Sequence, residues 1–389
     1  MHKKDLQDSQ LPKAFESFRS SLSVASPGRI NLIGEHTDYN DGFVLPTAID
    51  KRIYLEFSKN SSDNICNVYS RDLQAHLQFD LQEVKISSTG WHNYVLGVIS
   101  EIQKKRKILN GFDCIMHSDL PFGAGLSSSA ALECGMASGL NELFGLGLSK
   151  TEIVELSMLA EHSFVGTKCG IMDQFASVMS RESKFIFLDC RSLEADYIPA
   201  DLGDHRILLL NSMVSHQLAE SEYNLRRQQC EETVKLIRKR FPEVSSLRDV
   251  SLQQLADCSS TLPETLLKRA TYVIEENLRV EAAVEALKAG DLAGFGKLMY
   301  GSHEGLRSQY EVSCPEIDFL VDFAKIKGIP GARMMGGGFG GCTINLIRKD
   351  DVDQFVKEVT KAYFEKYNVE LKEIRVLPSQ GTTVVNKKQ

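Results

Sequence analysis

Fifteen residues from Gly28 to Gly42, GRINLIGEHTDYNDG, carry Arg29, Glu35, His36, Asp38, Tyr39, Asn40 and Asp41. Carboxylates, an imidazole, a phenol and a guanidinium lie close together there. Such a set of donors and acceptors suits a polar ligand. A polar surface turn has the same composition, so the stretch needs partners elsewhere in the chain. One comes at Pro121–Glu133, PFGAGLSSSAALE. Gly123, Ala124, Gly125, Leu126 and Ser127 lead into Ser128, Ser129 and Ala130, between a predicted strand and a predicted helix. Unpaired amides and the helix dipole favour an anion at such a point, and a phosphate fits. A serine-rich N-cap is the plainer reading. The Walker pattern GxxxxGK[ST] is absent, as are HRD and DFG, so a phosphate held here calls for a different kinase architecture.

A third stretch, Gly336–Gly341 (GGGFGG), formally contains GxGxxG. A dinucleotide fingerprint needs a strand before it and a helix after it, yet CTINLI beyond it reads as a strand. A loop allowing close backbone approach and a structural hairpin turn both remain open.

The elements around these stretches alternate. RIYLEFS and NICNVYS read as strands broken by KNSSDN, a hairpin signal. WHNYVLGVISEIQKKRK takes helical spacing, GFDCIMHSDLP is a strand, and a helix is predicted from about Ser128 to Phe144. Ser149 and Glu152 form a capping box before IVELSMLAEHSF. KFIFLD and RILLLN read as strands. Long helices follow in HQLAESEYNLRRQQCEETVKLIRKRF and in PETLLKRATYVIEENLRVEAAVEALKAGD, the latter closed by Gly290. Another helix starts at Ser313-Cys-Pro-Glu316 and ends at Gly328. DVDQFVKEVTKAYFEKY and a last strand around EIRVLP complete the chain. The pattern is α+β (α/β). At 389 residues two domains are expected, 1–205 and 206–389.

With 42% hydrophobic and 25% charged residues the composition is globular, and the formal charge of −7 comes without a long basic block. That argues against nucleic acid or an anionic membrane as partner. No apolar stretch reaches signal-peptide or membrane-spanning length. The nine cysteines include no CxxC pair and no zinc pattern, which suits reduced thiols in the cytoplasm.

Taken together, the three stretches resemble those of one family. GRINLIGEHTDYNDG is similar to the sugar signature of galactokinases, PFGAGLSSSAALE resembles the ATP-binding motif of the GHMP kinases, and GARMMGGGFGGCTI resembles their third motif. Order and spacing agree, and the likeness continues through AEHSFVGTKCGIMDQFAS and AESEYNLRRQQCEE, from about residue 20 to 380. It implies a two-lobed fold, with a mixed-sheet N-terminal lobe, a ferredoxin-like C-terminal lobe and the site in the cleft between them. It implies transfer of the ATP γ-phosphoryl group to the anomeric hydroxyl of galactose, with no obligatory protein partner; the sequence does not fix the oligomeric state, and a monomer is the expectation.

By the same resemblance Glu35, His36, Asp38, Gly170, Asp173 and Tyr223 hold the sugar. Asp173 is the candidate base, with Arg29 keeping it ionised and offsetting charge on the transferred group. Asp173 also reads as a helix cap, and Tyr223 as ordinary helix packing. Residues 123–130 and Trp91 would hold ATP, although Trp91, the only tryptophan, could equally anchor a core. Ser129 and Glu161 match the family's Mg2+ positions; Glu161 otherwise passes for a solvated charge. Kinases for N-acetylgalactosamine, galacturonate or arabinose are rival readings. So is a sugar sensor without turnover, which would be expected to lack Arg29, Asp173 or the serine loop.

Overall fold

The computed structural model describes residues 11–107, 110–121, 123–215 and 219–387. A six-stranded sheet has the order β13 (Thr383–Lys387), β1 (Leu22–Asn31), β3 (Pro46–Lys59), β6 (Phe112–Ser118), β4 (Ile65–Ser70) and β5 (Ala75–Asp80). α2 (Ser128–Phe144) and α4 (Met172–Met179) pack against it, joined by α1 (Gly90–Lys105), and α3 (Lys150–Ala160) packs on these three helices. β2 (Phe43–Val44), β7 (Lys184–Asp189) and β8 (Ala195–Pro199) form a small antiparallel sheet. A four-stranded antiparallel sheet runs β10 (Gly331–Met334), β11 (Gly340–Arg348), β9 (His205–Ser215) and β12 (Lys372–Arg375). Its face is covered by α9 (Pro315–Ile326) and α10 (Val352–Tyr367). A helical layer of α5 (Ala219–Ile237), α6 (Leu252–Cys258), α7 (Glu264–Lys288) and α8 (Leu292–Ser308) completes the fold.

Several expected elements sit where their patterns put them. α2 spans Ser128–Phe144, and Ser149 and Glu152 satisfy each other's backbone donors at the start of α3. The charged helix is α5; residues 216–218, which the sequence pattern included in it, lie outside the described residues.

Three expectations fail. KNSSDN is not a hairpin turn, because β6 inserts between β3 and β4, antiparallel to the first and parallel to the second. The hairpin partner of β4 is β5. A turn-rich stretch is thus equally compatible with a wider connection that leaves room for a later strand. EIRVLP is not the last strand, since the chain returns to pair β13 with β1. The helix α8 is missing from the sequence reading because glycine is a poor helix former. Its glycines serve packing instead: a side chain at Gly296 would strike the Pro330 backbone, and one at Gly305 the Tyr272 ring.

Candidate active site

The signature loop follows β1 and doubles back through a short turn at Asp38–Asn40. His36 takes a left-handed φ of 62°. The turn closes with Asn40 Nδ2 donating to the His36 carbonyl (2.9 Å) and Thr37 Oγ1 to the Gly34 carbonyl (2.9 Å). α7 braces it from the other side: Tyr272 OH donates to the Glu35 carbonyl (3.0 Å), and the Gly34 amide donates to Glu276 (2.9 Å). One turn of α7 separates these two residues, so a single helix face fixes the loop.

The side chains of that loop converge. A cavity of ≈ 290 Å³ is lined by Arg29, Glu35, His36, Asp38, Asp173 and Tyr223, together with Glu161, Thr167, Cys169, Met172 and the 336–338 backbone. This is the small end of ligand-pocket sizes, about 300–1,000 Å³, and suits one monosaccharide. Gly170 touches it through Asp38: a Cβ on Gly170 would overlap the Asp38 carboxylate. His36 Nδ1 pairs with Tyr39 OH (2.7 Å), which meets Tyr310 OH (2.8 Å), and the Tyr223 ring lies 5.2 Å from the imidazole.

Burial sets the protonation of these groups. It pushes His36 down to about 3, so the imidazole is neutral. It pushes Asp38 up to about 7, with the nearby Asp173 charge adding to it. Glu35 is also raised by burial, against the opposing pull of Arg333 and Arg29. Arg29 feels burial as a lowering force, but the charges of Asp173 and Glu35 outweigh it and hold the guanidinium charged.

Arg29 and Asp173 form a two-pronged pair. Nε donates to Oδ1 and Nη2 to Oδ2, each at 2.7 Å. Ser127 Oγ also donates to Oδ2. Two oxygens offer about four acceptor positions; among the described contacts Oδ1 accepts from Arg29 alone, and Asp173 lines the cavity. Asp173 sits in the first turn of α4, where the dipole favours its charge. The cap position is Ile171, so Asp173 is not the helix cap that the sequence also offered; it lies inside the first turn, with its carboxylate at the cavity.

The same arginine reaches the phosphate loop. Arg29 Nη1 donates to the Gly125 carbonyl (2.7 Å) and the Arg29 amide to the Leu126 carbonyl (3.0 Å). Ser127 has a left-handed φ of 56° as α2 begins. The second glycine loop faces the first, with the Gly341 and Gly336 backbones packed against Ala124 and Gly125. That second loop is the connection of the antiparallel pair β10 and β11, so the hairpin reading holds and the loop lines the site as well. Beyond Ser128 and Ser129 lies a mostly apolar cavity of ≈ 300 Å³ bordered by Trp91, Tyr94, Ile53, Met116 and Leu132. Trp91 is half-buried, packs on the main core and borders this cavity.

Ser129 bonds to the Glu161 carboxyl, which burial pushes up to about 7. Glu161 opens a short π-helical turn, Glu161–Val165, and accepts from Gln174 Nε2 at 2.9 Å. It is buried rather than a solvated charge. The donor set is oxygen throughout, as magnesium requires, and magnesium usually draws most of its ligands from phosphates and water. Among the described residues no group of three or more His, Cys, Asp or Glu has the arrangement of a closed metal cage.

One residue of the cluster escaped the sequence reading. Arg333 in GARMM is fully buried, its Nη2 2.8 Å from Glu35 Oε1 in an ionic contact, while Nη1 donates to the Asn31 carbonyl (3.1 Å). The Gly336 amide donates to the same Glu35 oxygen (2.8 Å). A cation inside an otherwise apolar strand was the available signal, since such a charge needs a partner.

Residues 13–59 match the family model "Galactokinase galactose-binding signature", 93–181 match "GHMP kinases N terminal domain" and 283–366 match "GHMP kinases C terminal". The chain is 44% identical over 369 residues to a galactokinase of Thermosipho africanus, covering 94% of this chain and 100% of that protein. The chain belongs to the galactokinase family. It is also 43% identical to a galactokinase of Thermotoga maritima over 90% of this chain and 96% of the relative. A crystal structure of Lactococcus lactis galactokinase complexed with galactose superposes with a TM-score of 0.90 at 36% identity, covering 93% of this chain and 94% of that one. Mevalonate kinase of Methanococcus jannaschii, at 20% identity and a TM-score of 0.61 over 92% and 99% of the two chains, shares the fold. The α+β, two-lobed GHMP kinase fold therefore stands, and a member of this family is an ATP-dependent sugar kinase. Among the described residues no helix is long and apolar enough to cross a membrane.

Proposed function

We propose that the chain transfers the γ-phosphoryl group of ATP to the anomeric hydroxyl of α-D-galactose, giving α-D-galactose 1-phosphate and ADP. The observation that carries this reading is the position of the Arg29–Asp173 pair. On one side it borders the cavity of Glu35, His36, Asp38 and Tyr223; on the other it is bonded to the glycine-serine loop. Glu35, His36, Asp38 and the Gly170 backbone hold the sugar hydroxyls, with Tyr223 as a wall. The loop 123–130 cradles the phosphates, and Trp91 borders the base.

Asp173 Oδ1 accepts the proton of the anomeric hydroxyl as its oxygen bonds to the γ-phosphorus and the bond to the bridging oxygen breaks, releasing ADP. Arg29 holds the carboxylate in place through two hydrogen bonds and offsets charge that builds on the phosphoryl oxygens. Ser129 and Glu161 would hold Mg2+, which when bound neutralises phosphate charge. The sensor alternative is disfavoured by the retention of Arg29, Asp173 and the serine loop. We place the division between two domains, expected as 1–205 and 206–389, near residue 205, since β9, from His205, opens the second sheet, while the last segment returns to the first lobe through β13. Nine free cysteines support a reducing, cytoplasmic setting, where the chain acts as a monomer without nucleic-acid, membrane or obligatory protein partners.

The test is ADP release with Mg-ATP on galactose, glucose, N-acetylgalactosamine, galacturonate and arabinose. Turnover largely confined to galactose is expected. Preference for another sugar would overturn the substrate, and binding of galactose without ADP release would favour the sensor.

A further inference from the structure

The end of the chain reaches back to the reacting pair from behind. After β12 it crosses to the first lobe, where the Gly381 amide donates to the Ser180 carbonyl (2.9 Å) and the Thr382 amide to the Ser177 carbonyl (2.7 Å). Thr382 Oγ1 lies 2.9 Å from Ser26 Oγ and donates to the Ser177 carbonyl at 2.9 Å. Ser177 Oγ in turn donates to the Pro27 carbonyl at 2.9 Å. Ser26, Ser177 and Thr382 are all buried. One donor order satisfies all three hydroxyls: Ser26 to Thr382, Thr382 to the Ser177 carbonyl, Ser177 to the Pro27 carbonyl.

Each arm of this hub ends beside a catalytic residue. Ser177 lies one helical turn after Asp173 on the same face of α4. Ser26 and Pro27 precede the point where β1 slips register against β3, between Pro27 and Arg29. The extra residues lie on β3, which passes from Arg52 to Ala48 while β1 passes from Pro27 to Arg29, so β1 runs directly from the Pro27 carbonyl to Arg29 two residues on. The hydrogen bond of Ser177 to the Pro27 carbonyl therefore ties the Asp173 helix to β1 two residues before Arg29, and Thr382 closes the link.

We infer that Thr382 is a positioning residue for phosphoryl transfer: through Ser26 and Ser177 the C-terminal segment fixes the mutual geometry of Arg29 and Asp173. The inference rests on the reading of these two residues as the reacting pair. Positional errors of about 1 Å can cost as much as 10²-fold in rate, so a partial loosening is expected to cost about tenfold.

The experiment compares kcat, both KM values and melting temperature for Thr382→Val, Thr382→Ser, Ser26→Ala and Ser379→Ala. Ser379 Oγ accepts from Arg52 Nη2 (2.7 Å) and anchors the same segment outside the hub. Thr382→Val and Ser26→Ala should lower kcat about tenfold with both KM values within twofold. Thr382→Ser should restore it, and Ser379→Ala should lower melting alone. Ser26→Ala keeps the test alive should Thr382→Val fail to fold. Should both variants lose melting temperature like Ser379→Ala while keeping kcat, the hub is merely structural and the inference falls. Asp173→Asn runs alongside: undiminished turnover there would overturn the reading of the reacting pair itself, separately from the role of Thr382.

Discussion

Replacing Arg333 with methionine should damage both the fold and the sugar site. Its Nη2 lies 2.8 Å from Glu35 Oε1, with Arg333 fully buried and Glu35 only 2% exposed. At an effective dielectric of about 20 the gross attraction is about 6 kcal/mol. Removing one partner of such a pair typically costs about 3–5 kcal/mol. Burial already raises the Glu35 carboxyl against the pull of Arg333, so in Arg333→Met it takes up a proton. It then loses the charge with which it would accept from a sugar hydroxyl. Hydrogen bonds to charged groups are worth about 1.5–3 kcal/mol, so KM for galactose should rise about ten- to a hundred-fold. Thermal and urea unfolding with steady-state kinetics on galactose and ATP give the readout. The double variant Glu35→Gln/Arg333→Met should recover part of the stability, because no carboxyl is left to protonate, without recovering sugar affinity. Unchanged melting and unchanged KM in Arg333→Met, or a double variant less stable than the single one, would refute this reasoning.

Other expectations follow from the same geometry. Gly170→Ala places a methyl group against the Asp38 carboxylate and should raise KM for galactose more than tenfold while leaving KM for ATP near its original value. Trp91→Ala should act on the other substrate, raising KM for ATP about tenfold, since stacking a base on an aromatic ring is worth about 1–3 kcal/mol. Asp38, raised to about 7 in the fold, binds its proton more tightly folded than unfolded, where its ordinary value is about 3.9. Its contribution to stability is thus fully present below pH ~4 and lost as pH rises through about 7. Melting temperature of the ligand-free protein followed from pH 4 to 8 should carry that downward component, and Asp38→Asn should remove it.

The local patterns were legible where chemistry and conformation reinforce each other. The glycine-serine run marks a strand-to-helix turn, and α2 begins where the serines promise. Glu35, His36, Asp38 and Asp173 are drawn into one cavity although more than a hundred residues separate the signature from Asp173. Long-range choices were less visible. Nothing in KNSSDN says that β6 will slide between β3 and β4, because strand pairing is decided by packing far along the chain. α8 hid behind glycines whose purpose is contact with Pro330 and Tyr272. Arg333 and Thr382 were missed for a related reason. Their roles depend on partners roughly three hundred residues away, and each looks locally like an ordinary member of its segment. The Ser129–Glu161 contact came from family resemblance, not from periodicity, since the π-helical turn that carries Glu161 has no simple sequence signature.

The most direct test of the account is the turnover number of Asp173→Asn with Mg-ATP and galactose, measured beside the unaltered chain under saturating conditions. Asparagine keeps the shape and can still accept from Arg29, but it cannot take a proton. A loss of about 10² to 10⁴ in kcat, with both KM values within a few-fold of the original, is the predicted result. Turnover within twofold of the original would contradict the account, because the Arg29–Asp173 pair would then not be where the phosphoryl group is transferred.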